Sequence, residues 1–244
     1  MKRLAMLLIS NCLLINLVSV VPDLSRLTIG SQAVQARAAV KPEAEVVLDE
    51  METAGKKLTS LVAKLSQQKI NTQLGIKEQE EVGEIRYIPG KNGSIKLRID
   101  ITKPAARTIV ISGDEVKFYE REVNQLLITS LKNKPKTKSY NSLAITLGSV
   151  NAIRANYEVS YLKDEVVGTE KTAVLHLVPK EASNYKEVDI WISRNNWLPV
   201  QQRFTEKNGD ILTLRLSDLK LNEKFNVKSL IDEFKPAGAK VVKD

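Results

Sequence analysis

Between Gly93 and Ile101 the run GSIKLRIDI alternates without a break. Ile95, Leu97, Ile99 and Ile101 share one parity, and Lys96, Arg98 and Asp100 the other. A period of two predicts an antiparallel strand with one buried face and one wet face. The same rhythm runs through EVGEIRYI, RTIVIS, EVKFYE and NQLLITSL. It resumes in NYEVSYLK, TAVLHLVP, EVDIWIS, LPVQQRFTE and DILTLRLSDL. Asn92-Gly93 and Asn208-Gly209 are strong hairpin signals, and Ser112-Gly113-Asp114 reads as another turn. Every link is short, so the strands are expected to form a meander. The count comes to about eleven strands.

Three stretches break the period. After Pro42, the residues Val47, Met51, Ala54 and Leu58 recur at helical spacing. Pro42 suits a first helical turn, and Glu43, Glu45 and Asp49 complement the positive end of a helix dipole. The far boundary of this helix is ambiguous. Helical periodicity would carry it to Leu65, yet LVAKLSQQKIN also alternates, with Leu61, Ala63 and Leu65 on one side. SYNSLAITLGS, containing Leu143, Ile145 and Leu147, predicts a short helix, and NVKSLIDEF a short terminal one.

The first residues have a different pattern. Lys2 and Arg3 precede a mostly apolar run from Leu4 to Val21, and Ala36-Arg37-Ala38 fits a small-x-small cleavage pattern. Residues 1–38 are therefore expected to be a secretory signal peptide cut between Ala38 and Ala39, leaving a single domain over 39–244 in the periplasm. The gap between apolar run and cut is long, and an uncleaved anchor in the inner membrane is the rival reading. Cys12 is the only cysteine. With the leader removed, the chain has no disulfide, no thiol nucleophile and no Cys ligand for a metal.

Charge changes the picture little. Of the formal net charge of +8, Lys2, Arg3, Arg26 and Arg37 against Asp23 supply three, which leaves +5 beyond the leader. The densest basic run, KNKPKTK at Lys132–Lys138, has no aromatic residue among its lysines. Nucleic-acid binding needs a concentrated basic face with stacking rings, so no nucleic-acid partner is expected and the run reads as a solvated loop. Aromatic residues are only 5% of the chain, so Leu, Ile and Val must fill the interior.

Catalytic chemistry is poorly supplied. His176 is the single histidine, on the face opposite Leu175 and Leu177, and reads as solvent-facing or strand-packing. One histidine without cysteine cannot build an ordinary zinc site, and no metal or cofactor is expected. There is no Gly-x-Ser-x-Gly elbow and no phosphate-binding glycine pattern. Glu80-Glu81, Asp114-Glu115 and Asp164-Glu165 fall at turns or strand edges, where carboxylates are common anyway. A carboxylate hydrolase stays as a third, weaker option, and no enzyme activity is expected.

The apolar faces remain. Val188, Ile190 and Ile192 line up, as do Val200 with Phe204, and Leu212, Leu214 and Leu216. A sheet of this size curls and needs something in its concavity. The pattern leaves two solutions open: an ordinary filled core, or a greasy cavity under a helical lid.

Several short motifs occur here in a familiar order. They are Leu177-Val178-Pro179-Lys180, the Ile190-Trp191-Ile192 strand, the Leu198-Pro199 strand start, the Asn208-Gly209 turn, the Asn222 segment and the closing DEFKPAGAKVV. In the first half come the Lys103-Pro104 link, the Ser112-Gly113-Asp114 turn and the Asn124-Gln125 strand. Over residues 42–242 the chain resembles the periplasmic outer-membrane lipoprotein carriers, the LolA-like family of the LolA–LolB superfamily. That resemblance implies a mainly β, α+β fold: a half-open antiparallel barrel of about eleven strands with a helical lid. It also implies that the first helix ends near Lys57 and that LVAKLSQQKIN is the first strand. The function it implies is a monomeric carrier that shields acyl chains of lipoproteins in transit from inner to outer membrane. Such a carrier is loaded by an inner-membrane ABC exporter and unloaded by an outer-membrane receptor. Carriage of another lipid, and an envelope-stress sensing or scaffold domain of the same fold, are the alternatives. Facing arguments give Met51, Leu97, Ile99, Leu143, Leu175, Ile190, Phe204, Leu212 and Leu214 as candidate lining residues. The arginine often found after the glycine of the first strand link has no counterpart in YIPGKNG.

Overall fold

The computed structural model describes residues 41–90, 95–130 and 149–243. The expected leader with Ala38 and Ala39, the Asn92-Gly93 turn, the Lys132–Lys138 run and Leu143 with its expected helix lie outside the described residues.

Helix α1 spans Glu43–Lys57, with Pro42 at its N-cap, Glu43 and Glu45 in the first turn and Lys56 and Lys57 in the last. Its end is where the family resemblance puts it. Three residues later LVAKLSQQKIN forms strand β1, Leu61–Asn71. The local ambiguity is resolved by tertiary pairing: β1 sits between β3 (Glu81–Pro89) and β12 (Ile211–Leu221) and hydrogen-bonds to both.

The remaining strands are β2 (Ile76–Lys77), β4 (Ile95–Lys103), β5 (Arg107–Ser112), β6 (Glu115–Glu120) and β7 (Gln125–Ser130), then β8 (Tyr157–Val167), β9 (Glu170–Pro179), β10 (Tyr185–Ser193), β11 (Pro199–Glu206) and β13 (Lys240–Lys243). All belong to one sheet in the order β13-β7-β6-β5-β4-β3-β1-β12-β11-β10-β9-β8, with β2 paired to the tip of β1. That makes thirteen strands among the described residues. The two-residue β2 and the four-residue β13 are too short to leave an alternation that sequence could show. Of the described pairings, that of β13 with β7 is parallel and the others are antiparallel. The sheet is not closed, since β13 and β8 are its edges. The chain leaves β7 near one edge and re-enters as β8 at the other.

Immediately before β8 lies a helix the sequence pattern did not reveal, α2, Val150–Asn156. Ser149 caps it by accepting a hydrogen bond from the Asn151 backbone N–H, which satisfies one of the free donors at the helix start. The terminal segment forms a single π-helical turn, Lys228–Asp232. It lies against β4 and β5: Arg98 donates to the Leu230 carbonyl, Lys96 and Ser112 both bond Asp232, and the Arg98 guanidinium stacks 4.7 Å from the Phe234 ring centre.

One face of the sheet is apolar. From β6 to β9 its side chains join those of α1 and α2 in a single buried cluster, so the sheet wraps around the helices. Val47 and Leu48 of α1 and Ile85, Leu97, Ile190 and Phe204 of the strands are completely buried. The other face carries ion pairs. Asp100 accepts from Arg86, Arg98 and Thr108.

Candidate functional site

The pairing registers set the inner wall. Leu212, Phe204, Val188 and Leu177 face one another in a row across β12, β11, β10 and β9. One step along, Leu214, Gln202, Ile190 and Leu175 form a second row. On the other half, Leu97 lies between Tyr87 and Ile111, and Ile99 between Ile85 and Ile109. Of the nine expected lining residues, the eight within the described residues are all buried in the one cluster, with Met51 contributed by α1 above the wall. Phe204 is further fixed by Tyr185, ring centres 4.9 Å apart. Burial pushes the Tyr87 phenol up to about 12.

Two features of this wall were missed. Gln202, 1% exposed, stands between Leu214 and Ile190. Val200 does not share a face with Phe204 as the alternation implied. The pairing of Trp191 with Gln201 and of Ile192 with Pro199 leaves Val200 as an extra residue. This bulge turns Val200 outward, into a second small cluster with Val174 and Trp191. The only sequence signal was Pro199, since proline in a sheet accompanies edges and bulges.

The outer face uses His176. Its Nδ1 lies 2.7 Å from Asp189 Oδ1, and Arg203 Nη2 donates to Asp189 Oδ2 at 2.5 Å. Asp189 is 5% exposed, so the two partners compensate the burial of a carboxylate. Trp191 donates its indole N–H to Glu165 in the same patch. That bond is the first cause of a Glu165 carboxyl held below its ordinary range. The histidine therefore packs across strands on the convex side, away from the apolar cluster.

α1 and α2 cover the wall, and charged side chains join them. Arg154 of α2 reaches Glu45 at 3.2 Å, Asp49 at 2.6 Å and Glu52 at 3.0 Å, three acids on successive turns of α1. Arg194, after β10, holds Glu43 at 3.1 Å and Asp164 of β8 at 2.6 Å.

The apolar stripe of α1 outruns the cluster. Ala54 and Leu58 are only half-buried. They line a groove of about 250 Å³ with Glu50, Thr53, Lys57, Asn195, Asn196, Trp197, Leu198, Leu221 and Asn222. The hairpin opposite α1 is tightly fixed. Ser193 N–H donates to Leu198 O, Trp197 N–H to Ser193 O, and Asn196 Oδ1 accepts from the Leu198 N–H. Trp197 is held at φ 58°, a left-handed conformation costing a bulky residue about 1–3 kcal/mol. The junction of α1 and β1 is tied to the end of β12 by Thr59, whose N–H and hydroxyl both donate to Asn222 Oδ1. Leu58 and Trp197 also pack on the main cluster, so the groove adjoins the covered wall directly.

Known proteins share this arrangement of strands. An uncharacterized conserved protein from Thermus thermophilus matches with a TM-score of 0.56 at 15% identity, over 82% of this chain and 99% of that one. MucB matches with a TM-score of 0.53 at 13% identity, over 82% of this chain and 65% of MucB; the chain thus spans just under two thirds of that protein. At such identities the likeness is one of fold. No curated protein matches. Residues 56–230 match the model of the family described as outer membrane lipoprotein carrier protein LolA, and with most of its length so matched the chain belongs to the LolA family.

Proposed function

We propose that this chain is a periplasmic carrier that shields acyl chains of lipoproteins on their way from the inner to the outer membrane. On this reading the aliphatic wall under α1 is the shield, and an inner-membrane ABC exporter and an outer-membrane receptor are the partners that load and unload it. The observation that carries the reading is the nature of the cover: an apolar sheet face roofed by two helices that charged side chains tie together.

Magnitudes support it. Val47, Leu48 and Met51 of α1 are buried against the wall where, on this reading, an acyl chain would lie. Burial of three such side chains contributes about 5–9 kcal/mol. One long acyl chain, at about 0.8 kcal/mol per methylene, is worth on the order of 10 kcal/mol before ordering costs. Exchange of helix for chain is therefore close to balanced, as a carrier that must both take up and release its load requires. An aliphatic wall makes loose demands on shape and accepts chains of different length.

The filled wall also favours a second reading, a sensing or scaffold domain whose core needs no lipid. Protein taken from the bacterial envelope separates the two. A carrier brings acyl lipid into an organic extract read by mass spectrometry, and its melting temperature rises with added fatty acid. Lipid-free protein that ignores a dansylated fatty acid overturns the carrier reading and leaves the scaffold.

A further inference from the structure

We propose that the groove between the C-terminal half of α1 and the Ser193–Leu198 hairpin is the entrance for a single acyl chain, methyl end first. Its head group stays at the mouth, against Trp197 and Lys57. The proposal rests on the carrier reading and names the route and the recognising residues.

The walls suggest the occupant. Ala54 and Leu58 continue the apolar stripe of α1 past the point where the sheet covers it, and Leu221, opposite, is 40% exposed. An apolar stripe left open beside a closed core is a path for hydrocarbon. A volume of about 250 Å³ falls below the range of cavities that enclose a whole drug-sized ligand and matches one chain segment.

The rim is polar, which fits a chain with an oxygen-bearing end. Asn222 spends its carbonyl on Thr59 and Asn196 its carbonyl on Leu198, which leaves the amide N–H groups of both as donors. Lys57 has no ion pair among the described residues, unlike its neighbour Lys56, which is bound to Glu52. Donors of this kind meet a carboxylate or an ester carbonyl. Glu50, also on the rim, disfavours a second negative charge near it.

Trp197 gives the mouth its shape. Its backbone is locked in a conformation that favours glycine or asparagine, and the Arg194 guanidinium lies 5.3 Å from its ring centre. Four hydrogen bonds within the hairpin hold this costly geometry, and its product is an aromatic plate beside Leu58. Strain kept at one residue by surrounding structure marks a site where position matters more than stability.

Trp197 is also a built-in reporter. The other tryptophan, Trp191, is on the convex face and is removed by Trp191→Phe. In that background, palmitate brominated beside its carboxylate is expected to quench Trp197 strongly, and palmitate brominated at its methyl end only weakly. Trp197→Gly, which removes the plate and relieves the left-handed backbone, is expected to keep the fold and weaken palmitate binding about tenfold. Lys57→Met is expected to weaken palmitate about threefold while leaving its methyl ester unchanged, which separates carboxylate from ester recognition. Displacement of a dansylated fatty acid reports total binding independently. If binding is intact while neither brominated chain quenches Trp197 and Trp197→Gly binds as tightly as the parent, the entrance is elsewhere and the carrier reading survives. If the parent displaces nothing and binds nothing, the carrier reading itself fails.

Discussion

Arg154 Nη2 lies 2.6 Å from Asp49 Oδ1, and this bond is the centre of a three-point contact between the two helices that roof the apolar wall. Glu45 and Glu52, one turn before and after Asp49, take the other nitrogens of the same guanidinium. A planar fork with several donors suits this task, whereas a lysine could meet only one acid well. Arg154→Met keeps the bulk and removes all three bonds. Partly exposed pairs are individually weak, so only a modest cost is expected for the set. It should appear as a fall in melting temperature of about 2–8 °C, and as loss of amide protection in α1 with the β9–β12 strands unchanged. Equal loss in helix and sheet would show that Arg154 supports the whole domain rather than its cover.

Acid should undo the same contact. The Asp49 carboxyl is held below its ordinary 3.8, first by the hydrogen bond from Lys41 and further by Arg154. The Glu52 carboxyl is held below its ordinary 4.5, first by Lys56 and then by Arg154. A carboxylate whose folded value is depressed contributes stability that is fully present above its unfolded value and is lost as pH falls through the folded one. The contribution is therefore expected to be constant from neutral pH down to about 5 and to fade below about 4. Wild type and Arg154→Met, compared by thermal melting, should differ at pH ~6, and the difference should shrink as pH falls below the ordinary carboxylate range. A difference that persists at the acid end would mean Arg154 acts through packing of its stem.

Phe204 tests how much of the fold depends on the inner wall. It is fully buried, flanked by Leu212 and Val188 across the strands and by Tyr185. Phe204→Ala is expected to cost about 3–5 kcal/mol, read as a lower urea midpoint at unchanged slope. If an acyl chain fills the space left behind, added palmitate should restore part of that loss, and more for the variant than for wild type. Restoration equal in both proteins would place the chain away from Phe204.

The strand faces were legible because alternation such as that of Ile95 to Ile101 survives in any antiparallel sheet with one wet side. The helical cover was only half legible. Leu58 to Leu65 fits both periods, and the outcome depended on β3 and β12, far away in sequence, claiming β1. α2 has seven residues, too few turns for a periodic stripe, and its one signal was the Ser149 cap. Val200 was misplaced because a bulge shifts parity, and parity was the whole basis of the assignment. The rim of the groove was invisible for a different reason. Trp197, Asn222 and Lys57 come from three separate parts of the chain, and no linear pattern marks residues that meet only after the sheet has formed.

Gly83 shows the same lesson within a strand. A glycine in the middle of β3 weakens it unless space requires the missing side chain. Here it does. Gly83 stands at a register irregularity in the β3–β4 pairing, opposite Ile101. A Cβ built on it would overlap the Asp100 carbonyl oxygen and come within 2.9 Å of both the Asp100 carbonyl carbon and Ile101 Cα. These are backbone atoms, so no side-chain rotation relieves the contact. The only escape is for β3 and β4 to part, which would also disturb Asp100, the shared acceptor for Arg86, Arg98 and Thr108. Gly83→Ala is therefore expected to destabilise by about 2–3 kcal/mol, the upper part of the usual cost of overpacking. Gly55→Ala is the matched control. Its new methyl would meet nothing, and an alanine in a helix interior should raise stability by about 0.5–1 kcal/mol. Urea titrations of the two variants beside wild type give opposite signs if the close approach of β3 to β4 is real, and the same sign if it is not.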